Sequence, residues 1–154
     1  MIRRAGNVAG RLGAAMEKNI LLKVKGTRME NGEDESIEFV TEAKFRGDNG
    51  KYMVEYNESE LTGMDGTHTV ITLKPDEVSI LRTGKNNSHL HFEKGRKHVT
   101  MYETEFGTMS MGVFSRRVNV NLGDSGGEVD FDYALEINNM QTSENNFYME
   151  IWEA

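Results

Sequence analysis

Alternation with a period of two runs through nearly the whole chain, and it leaves few folds open. In GEVDFDYALEIN, residues 127–138, Val129, Phe131, Tyr133, Leu135 and Ile137 fall on one face. Glu128, Asp130, Asp132 and Glu136 fall on the other. Successive side chains of a strand point to opposite sides, so this stretch reads as a half-buried strand of about ten residues. SIEFVTEAKF repeats the pattern, with Ile37, Phe39, Thr41, Ala43 and Phe45 against Glu38, Glu42 and Lys44. KYMVEYN places Tyr52, Val54 and Tyr56 on one side. NILLKV, TVITL, EVSIL and NFYMEIWE read as further strands.

Between the strands lie compact turn signals: Asn31-Gly32, Gly47 to Gly50, Asp65-Gly66, Lys94-Gly95 and Gly123 to Gly127. They suit tight hairpins, whose backbone needs positive φ. The links are too short for crossover helices, so successive strands must run antiparallel. The single proline, Pro75, falls between two strands, where a missing N–H does no damage.

One segment breaks parity. In TMSMGVFSRRVNVNL the apolar residues Met109, Met111 and Val113 are odd-numbered, whereas Val118, Val120 and Leu122 are even-numbered. A strand cannot change face without an extra residue, so a bulge or corner is expected at Ser115–Arg117. About eight to ten sequential antiparallel strands, each with one apolar face, point to an all-β fold: a single meander closed into a barrel. A two-sheet sandwich is the competing solution. Short links and the lack of a long Greek-key connection favour the barrel.

A chain of 154 residues fits one domain. Residues 19–154 are assigned to the barrel, and residues 1–18 to an N-terminal extension, disordered or weakly helical over Val8–Met16. That extension has no apolar run of targeting length, and Met16 is a candidate start. The absence of cysteine excludes disulfides, thiolate metal sites and a thiol nucleophile, and suits a reducing cytoplasm. The net charge is −7; residues 1–15 hold three arginines and no acid, which leaves −10 on the remainder. A body this acidic repels nucleic-acid backbones and anionic membranes, so neither is expected as a partner.

Several pieces in order resemble the YwiB-like family of uncharacterised bacterial proteins. They are NILLKVKG at 19–26, YNESELTG at 56–63, VSILRTG at 78–84, HFEKG at 91–95, MYETEFG at 101–107 and GGEVDFDYALEIN at 126–138. The resemblance covers nearly everything after the first eighteen residues, and the chain follows the family pattern at Phe92, Gly95 and Tyr102. It implies a calycin-like barrel, similar in architecture to lipocalins. It implies no activity, so no catalytic residue is carried over.

Three stretches could bear chemistry. HLHFEKGRKH holds His89, His91 and His98. If Lys94-Gly95 is a two-residue loop, the histidines share one face and Leu90, Phe92, Val99 and Met101 share the other. Three imidazoles at that spacing could chelate zinc or nickel. The apolar face must look inward, however, so the histidines are expected outside, and no metal site is assigned. In YNESELTG, the parity of Tyr52, Val54 and Tyr56 carries Glu58 inward towards one barrel end. In EVSILRTG, Arg82 shares parity with Val78 and Ile80. Should that face be the inner one, a guanidinium enters the barrel and needs a carboxylate or a ligand, with Glu58 as its partner. Should Ser79, Leu81 and Thr83 face in, Arg82 is an ordinary surface residue.

The expected ligand-binding set is Tyr52 and Tyr56 as walls, Glu58 and Arg82 as polar anchors, and Tyr102 near the rim. The ligand is expected to be small and apolar or amphipathic. No cofactor is expected. Asp124-Ser125-Gly126-Gly127 lacks the Gly-Lys-Ser/Thr ending of a phosphate loop and lies between strands. No nucleophile–base constellation is apparent, which places an enzyme behind two other readings. Those are a binding protein and a filled barrel acting through its surface, as a homodimer for instance.

Overall fold

The computed structural model describes residues 17–48, 50–104 and 106–153. Ten strands follow one another: β1 (Glu17–Glu30), β2 (Glu33–Asp48), β3 (Lys51–Asn57), β4 (Thr67–Lys74), β5 (Glu77–Gly84), β6 (Ser88–Glu93), β7 (Lys97–Thr104), β8 (Gly107–Gly123), β9 (Gly126–Ile137) and β10 (Met140–Glu153). The helix Val8–Met16 considered from sequence lies outside the described residues. Among the described residues the only helical turn is Glu60–Thr62, of the 3-10 type, and no helix is long and apolar enough to cross a membrane.

The strands form one antiparallel sheet in the order β6-β5-β4-β3-β2-β1-β10-β9-β8-β7. The first and last strands of the chain pair over Ile20–Met29 and Glu144–Glu153. The sheet therefore curls into a nearly closed barrel, as the meander pattern implies. Its two remaining edges, β6 and β7, are neighbours in sequence but share no ladder.

The gap falls at the turn that joins them. Asn31-Gly32 has φ of 54° and 78°, and Asn138-Asn139 has 51° and 68°. Two positive φ values make the turn whose twist matches a hairpin, and both turns join paired strands, β9–β10 with a register shift between Gln141 and Ser143. At Glu93–Arg96 the Arg96 N–H donates to the Glu93 carbonyl at 3.0 Å. There only the second central residue, Gly95, has positive φ, at 76°. That is an unprimed geometry, as are the turns at Pro75-Asp76 and Asp124-Ser125, which nevertheless sit in full ladders. The turn is anchored elsewhere: Gly95 N–H donates to Ser115 O at 2.8 Å, and Lys94 N–H to Asp76 O at 3.3 Å.

This overturns the expected faces of the β6–β7 segment. Leu90 and Phe92 do look inward, Phe92 being fully buried. Val99 and Met101, expected in the core, are 57% and 62% exposed. On β7 it is His98 and Thr100 that oppose Val113 and Met111 on the inner face of β8. Thr100 Oγ1 donates to His89 O at 3.2 Å. The inner face of β7 thus meets the outer face of β6, and the barrel closes here by overlap rather than by pairing.

The parity break lies where the sequence places it. The β8–β9 register slips between Ser115 and Arg117, leaving Arg116 unopposed. On the outer wall Arg116 reaches Glu144 at 2.7 Å, and Arg117 reaches Asp130 and Asp132 at 2.9 Å each. The inner wall is apolar: Leu22, Phe45, Val54, Ile71, Leu73, Phe131 and Met149 are completely buried. Phe92 packs on Phe131 with ring centroids 4.4 Å apart, and Phe131 stacks on Phe147 at 4.9 Å. The end of the barrel bearing the β2–β3, β4–β5 and β8–β9 turns is therefore filled by the protein itself.

At Gly127, φ is +143° and an added Cβ would stand 2.2 Å from the Asn121 carbonyl oxygen. At Gly123 an added Cβ meets nothing within 4 Å. Gly127→Ala is expected to cost more than about 2 kcal/mol, and Gly123→Ala no more than about 0.5 kcal/mol, in urea unfolding monitored by tryptophan fluorescence.

Candidate functional site

The polar groups inside the barrel gather at the other end. β3 and β4 stay in register past Asn57, since Glu58 N–H donates to Thr67 O at 2.8 Å. Parity therefore carries Glu58 inward behind Val54 and Tyr56, and its side chain is 1% exposed. Pro75 and Asp76 make a two-residue turn between β4 and β5, which sets Thr69 opposite Arg82 and Ile71 opposite Ile80. Ile80 is core, so Arg82 enters on the inner face with 19% of its side chain exposed. The alternative left open by the sequence, with Ser79, Leu81 and Thr83 inside, is excluded.

Glu58 is held on both oxygens. Thr69 Oγ1 donates to Oε2 at 2.6 Å and Thr62 Oγ1 to Oε1 at 2.9 Å. Thr62 is delivered by the single turn Glu60–Thr62. Ser59 Oγ caps it by accepting the Leu61 N–H, and Gly63 ends it with φ of 74°. Tyr56 is 6% exposed and stands beside Glu58. Burial first, and then the adjacent carboxylate, push the Tyr56 hydroxyl far above its ordinary value, while Arg82 opposes them. Arg82 Nε lies 3.7 Å from Glu58 Oε2, close enough for ion pairing and too far for a hydrogen bond. That Nε is buried and has no hydrogen-bond partner. An unmade buried donor costs about 1–3 kcal/mol.

Beside this cluster opens a cavity of about 580 Å³. β2 pairs with β3 only over Lys44–Asp48, although it runs on along β1 to Glu33. The β3–β4 loop faces that unpaired stretch, so Thr62 and Met64 line the cavity with Ser36 and Ile37. Gly26, Leu135 and Phe147 supply more apolar wall, and Tyr133, Arg28 and Asn145 supply polar groups. Tyr133 is partly buried and senses two cations. Burial raises its hydroxyl, while Arg82 and Arg28 pull it back. Arg28 is itself paired with Glu35 at 2.7 Å. A second hollow of about 510 Å³ borders Tyr56 near Asn57 and His68, between polar side chains of β2, β3 and β4.

The expected set therefore divides. Tyr56, Glu58 and Arg82 come together. Tyr52 sits at the opposite end of β3, stacked on Phe45 at 5.3 Å with its hydroxyl 3.4 Å from Asp124. Tyr102 lies on β7 opposite Met109, separated from Arg82 by β6 and the overlap. Thr62, Thr69, Arg28 and Tyr133 were not singled out by sequence reasoning. Thr69 was within reach of it, because a two-residue loop at Pro75-Asp76 fixes the pairing of Thr69 with Arg82. Tyr133 had the correct parity, but only closure of the sheet brings it near Arg82.

The three histidines do meet. Ring centroids of His89 and His91 are 4.2 Å apart and those of His91 and His98 5.4 Å, while His98 Nε2 lies 3.0 Å from Glu93 Oε1. Among the described residues no group of three or more His, Cys, Asp or Glu side chains is arranged to hold a metal. Burial, then the neighbouring His89 and His98, hold His91 below its ordinary value of 6.5, opposed by Glu77 and Glu93.

Comparison with known proteins places this geometry. The family described as a domain of unknown function, DUF1934, matches residues 22–149. A Bacillus subtilis (strain 168) relative, the uncharacterized beta-barrel protein YwiB, is 23% identical over 125 residues, covering 81% of this chain and 87% of that protein. The crystal structure of the ywiB protein from Bacillus subtilis superposes with a TM-score of 0.68 at 20% identity, covering 87% of this chain and 92% of that chain. This likeness extends to the fold.

Two outcomes are expected. Because Glu58 is the more deeply buried partner, Arg82→Met should cost about 3 kcal/mol, and the double variant Glu58→Gln/Arg82→Met should recover most of that loss in a urea double-mutant cycle. A depressed imidazole leaves the folded state binding fewer protons than the unfolded chain. His91 therefore lowers stability as pH falls below about 6.5, and the loss is complete once pH passes the folded value. Melting curves from pH 7.5 down to 5 should show His91→Asn less acid-sensitive than the parent.

Proposed function

The chain belongs to the family described as a domain of unknown function, DUF1934, and from that premise we propose that it is a binding protein for one small amphipathic molecule, held at the open end of the barrel. The observation that carries this reading is the cavity of about 580 Å³ above a core that is otherwise filled. Its volume falls in the range of small-molecule sites. Apolar walls at Ile37, Leu135 and Phe147 stand next to polar groups at Tyr133, Arg28 and Thr62, a composition that suits an amphipathic guest. The architecture supports a likeness to calycins, and the lack of cysteine suits a cytoplasmic site of action. Tyr56, Glu58 and Arg82 stand behind the cavity wall without lining it, joined to it by the bond from Thr62 to Glu58; Tyr52 and Tyr102 lie further round the barrel.

A second reading has its own support. β7 has no ladder on its β6 side and exposes Val99 and Met101 on its outer face, which fits a surface used between two copies of the chain. Light scattering at several concentrations tests it; a monomer throughout sinks it. An enzyme is favoured by no observation: the hydroxyls within reach of a carboxylate, those of Thr62 and Thr69, are used to hold Glu58 in place.

Amphiphiles of six to twelve carbons, of differing headgroup, should raise the melting temperature of the wild-type protein. Leu135→Trp, which fills the cavity from its wall, should fold and lose that response. If no amphiphile in the series shifts the wild-type transition, the binding reading fails.

A further inference from the structure

The charged and amide side chains on the cavity wall are already committed to one another or to their neighbours. Arg28 and Glu35 neutralise each other at 2.7 Å. Asn146 Nδ2 donates to Asp130 at 2.8 Å and to Asp132 at 2.7 Å, and Asn145 Nδ2 donates to Ser143 Oγ at 3.0 Å. Behind the wall Arg82 is matched by Glu58. Among the hydroxyls, Thr62 gives its proton to Glu58 and Ser36 stands in solvent. Thr27 alternates to the outer face with Lys23 and Lys25. Tyr133 is different. The hydroxyls of Tyr52 and Tyr148 reach carboxylates, whereas that of Tyr133 has no hydrogen-bond partner among the described residues. Its ring is fixed against Phe92, with centroids 4.8 Å apart, and it borders the cavity. Burial raises the hydroxyl above its ordinary value against the pull of Arg82 and Arg28, so at neutral pH it keeps its proton and is a donor.

Resting on the reading of the open end as a binding site, we infer that the cavity takes an uncharged molecule whose carbonyl or hydroxyl oxygen accepts the Tyr133 hydroxyl proton, with its apolar part against Leu135 and Phe147. The wall holds no unmatched charge. A headgroup of either sign would therefore leave water with no counter-charge to meet it, which costs far more than desolvating an uncharged oxygen. The free group is a donor held in place by packing, so the complementary guest is an acceptor.

Calorimetry with methyl hexyl ketone, octanoate and octylamine tests this on the whole chain at neutral pH. The ketone should bind at least about tenfold more tightly than either charged probe. Tyr133→Phe removes a hydroxyl that bonds nothing in the protein, so the urea midpoint should not fall. The variant should bind the ketone about three- to tenfold more weakly, the worth of one neutral hydrogen bond. The infrared carbonyl band of isotope-labelled ketone should lie lower when bound to the parent than to the variant. Octanoate or octylamine binding as tightly as the ketone overturns the uncharged assignment, a result read on the parent alone. A lowered midpoint in the variant, equal ketone affinity, or an unmoved carbonyl band overturns Tyr133 as the donor. Each of these leaves the cavity reading standing, whereas failure of all three probes overturns both.

Discussion

The ladder between Ile20–Met29 and Glu144–Glu153 is the constraint on which everything else rests. A ten-stranded meander left open would present β1 and β10 as two long edges with rows of unpaired N–H and C=O groups. Joining them moves the edges to β6 and β7, which are short and consecutive. The curl that this imposes turns every inward-parity side chain towards a common axis. Apolar residues from distant parts of the chain, such as Leu22, Phe45, Ile71 and Phe131, can then bury one another completely. No strand pair alone could do so, since an isolated hairpin has no second face to pack against.

Closure stops at the turn between β6 and β7. The backbone of that turn is tied to Asp76 and Ser115 rather than into a β6–β7 ladder, and β7 lies over β6 instead of beside it. The same overlap gathers the imidazoles of His89, His91 and His98 at the junction and leaves Val99 and Met101 on the outside. A polar cluster in an overlap is a weaker closure than a hydrogen-bonded ladder.

Within the barrel, chemistry is sorted by height. One end is packed with aliphatic and aromatic side chains and has no room for a guest. At the other end β2 outruns β3, the β3–β4 loop folds across the opening, and polar residues replace apolar ones on the inner face. Glu58 and Arg82 are tolerable there because each compensates the other and hydroxyls satisfy the carboxylate. Among these groups Arg82 Nε is buried without a hydrogen-bond partner.

Parity and turn residues in the sequence determined the strands, the antiparallel meander, the bulge at Ser115–Arg117 and the shared parity of Tyr56 and Glu58. All of these are local: side-chain alternation follows from backbone geometry, and a register slip changes it visibly. Arg82 stood undecided between two faces, because both sets of its neighbours contain apolar residues; the two-residue turn at Pro75-Asp76 and the packing of Ile80 decided it. Tyr52 and Tyr102 were placed with Glu58 on parity alone, but parity specifies a face and not a height or a position round the barrel. The face of β6 was read correctly and that of β7 was not, because opposing His91 to His98 assumes a β6–β7 ladder that does not form. Tertiary structure alone decided that the barrel closes at β1 and β10, that β7 overlaps β6, and that Arg28 and Tyr133 stand near Arg82. Those facts depend on contacts between residues far apart in sequence, which no local pattern encodes.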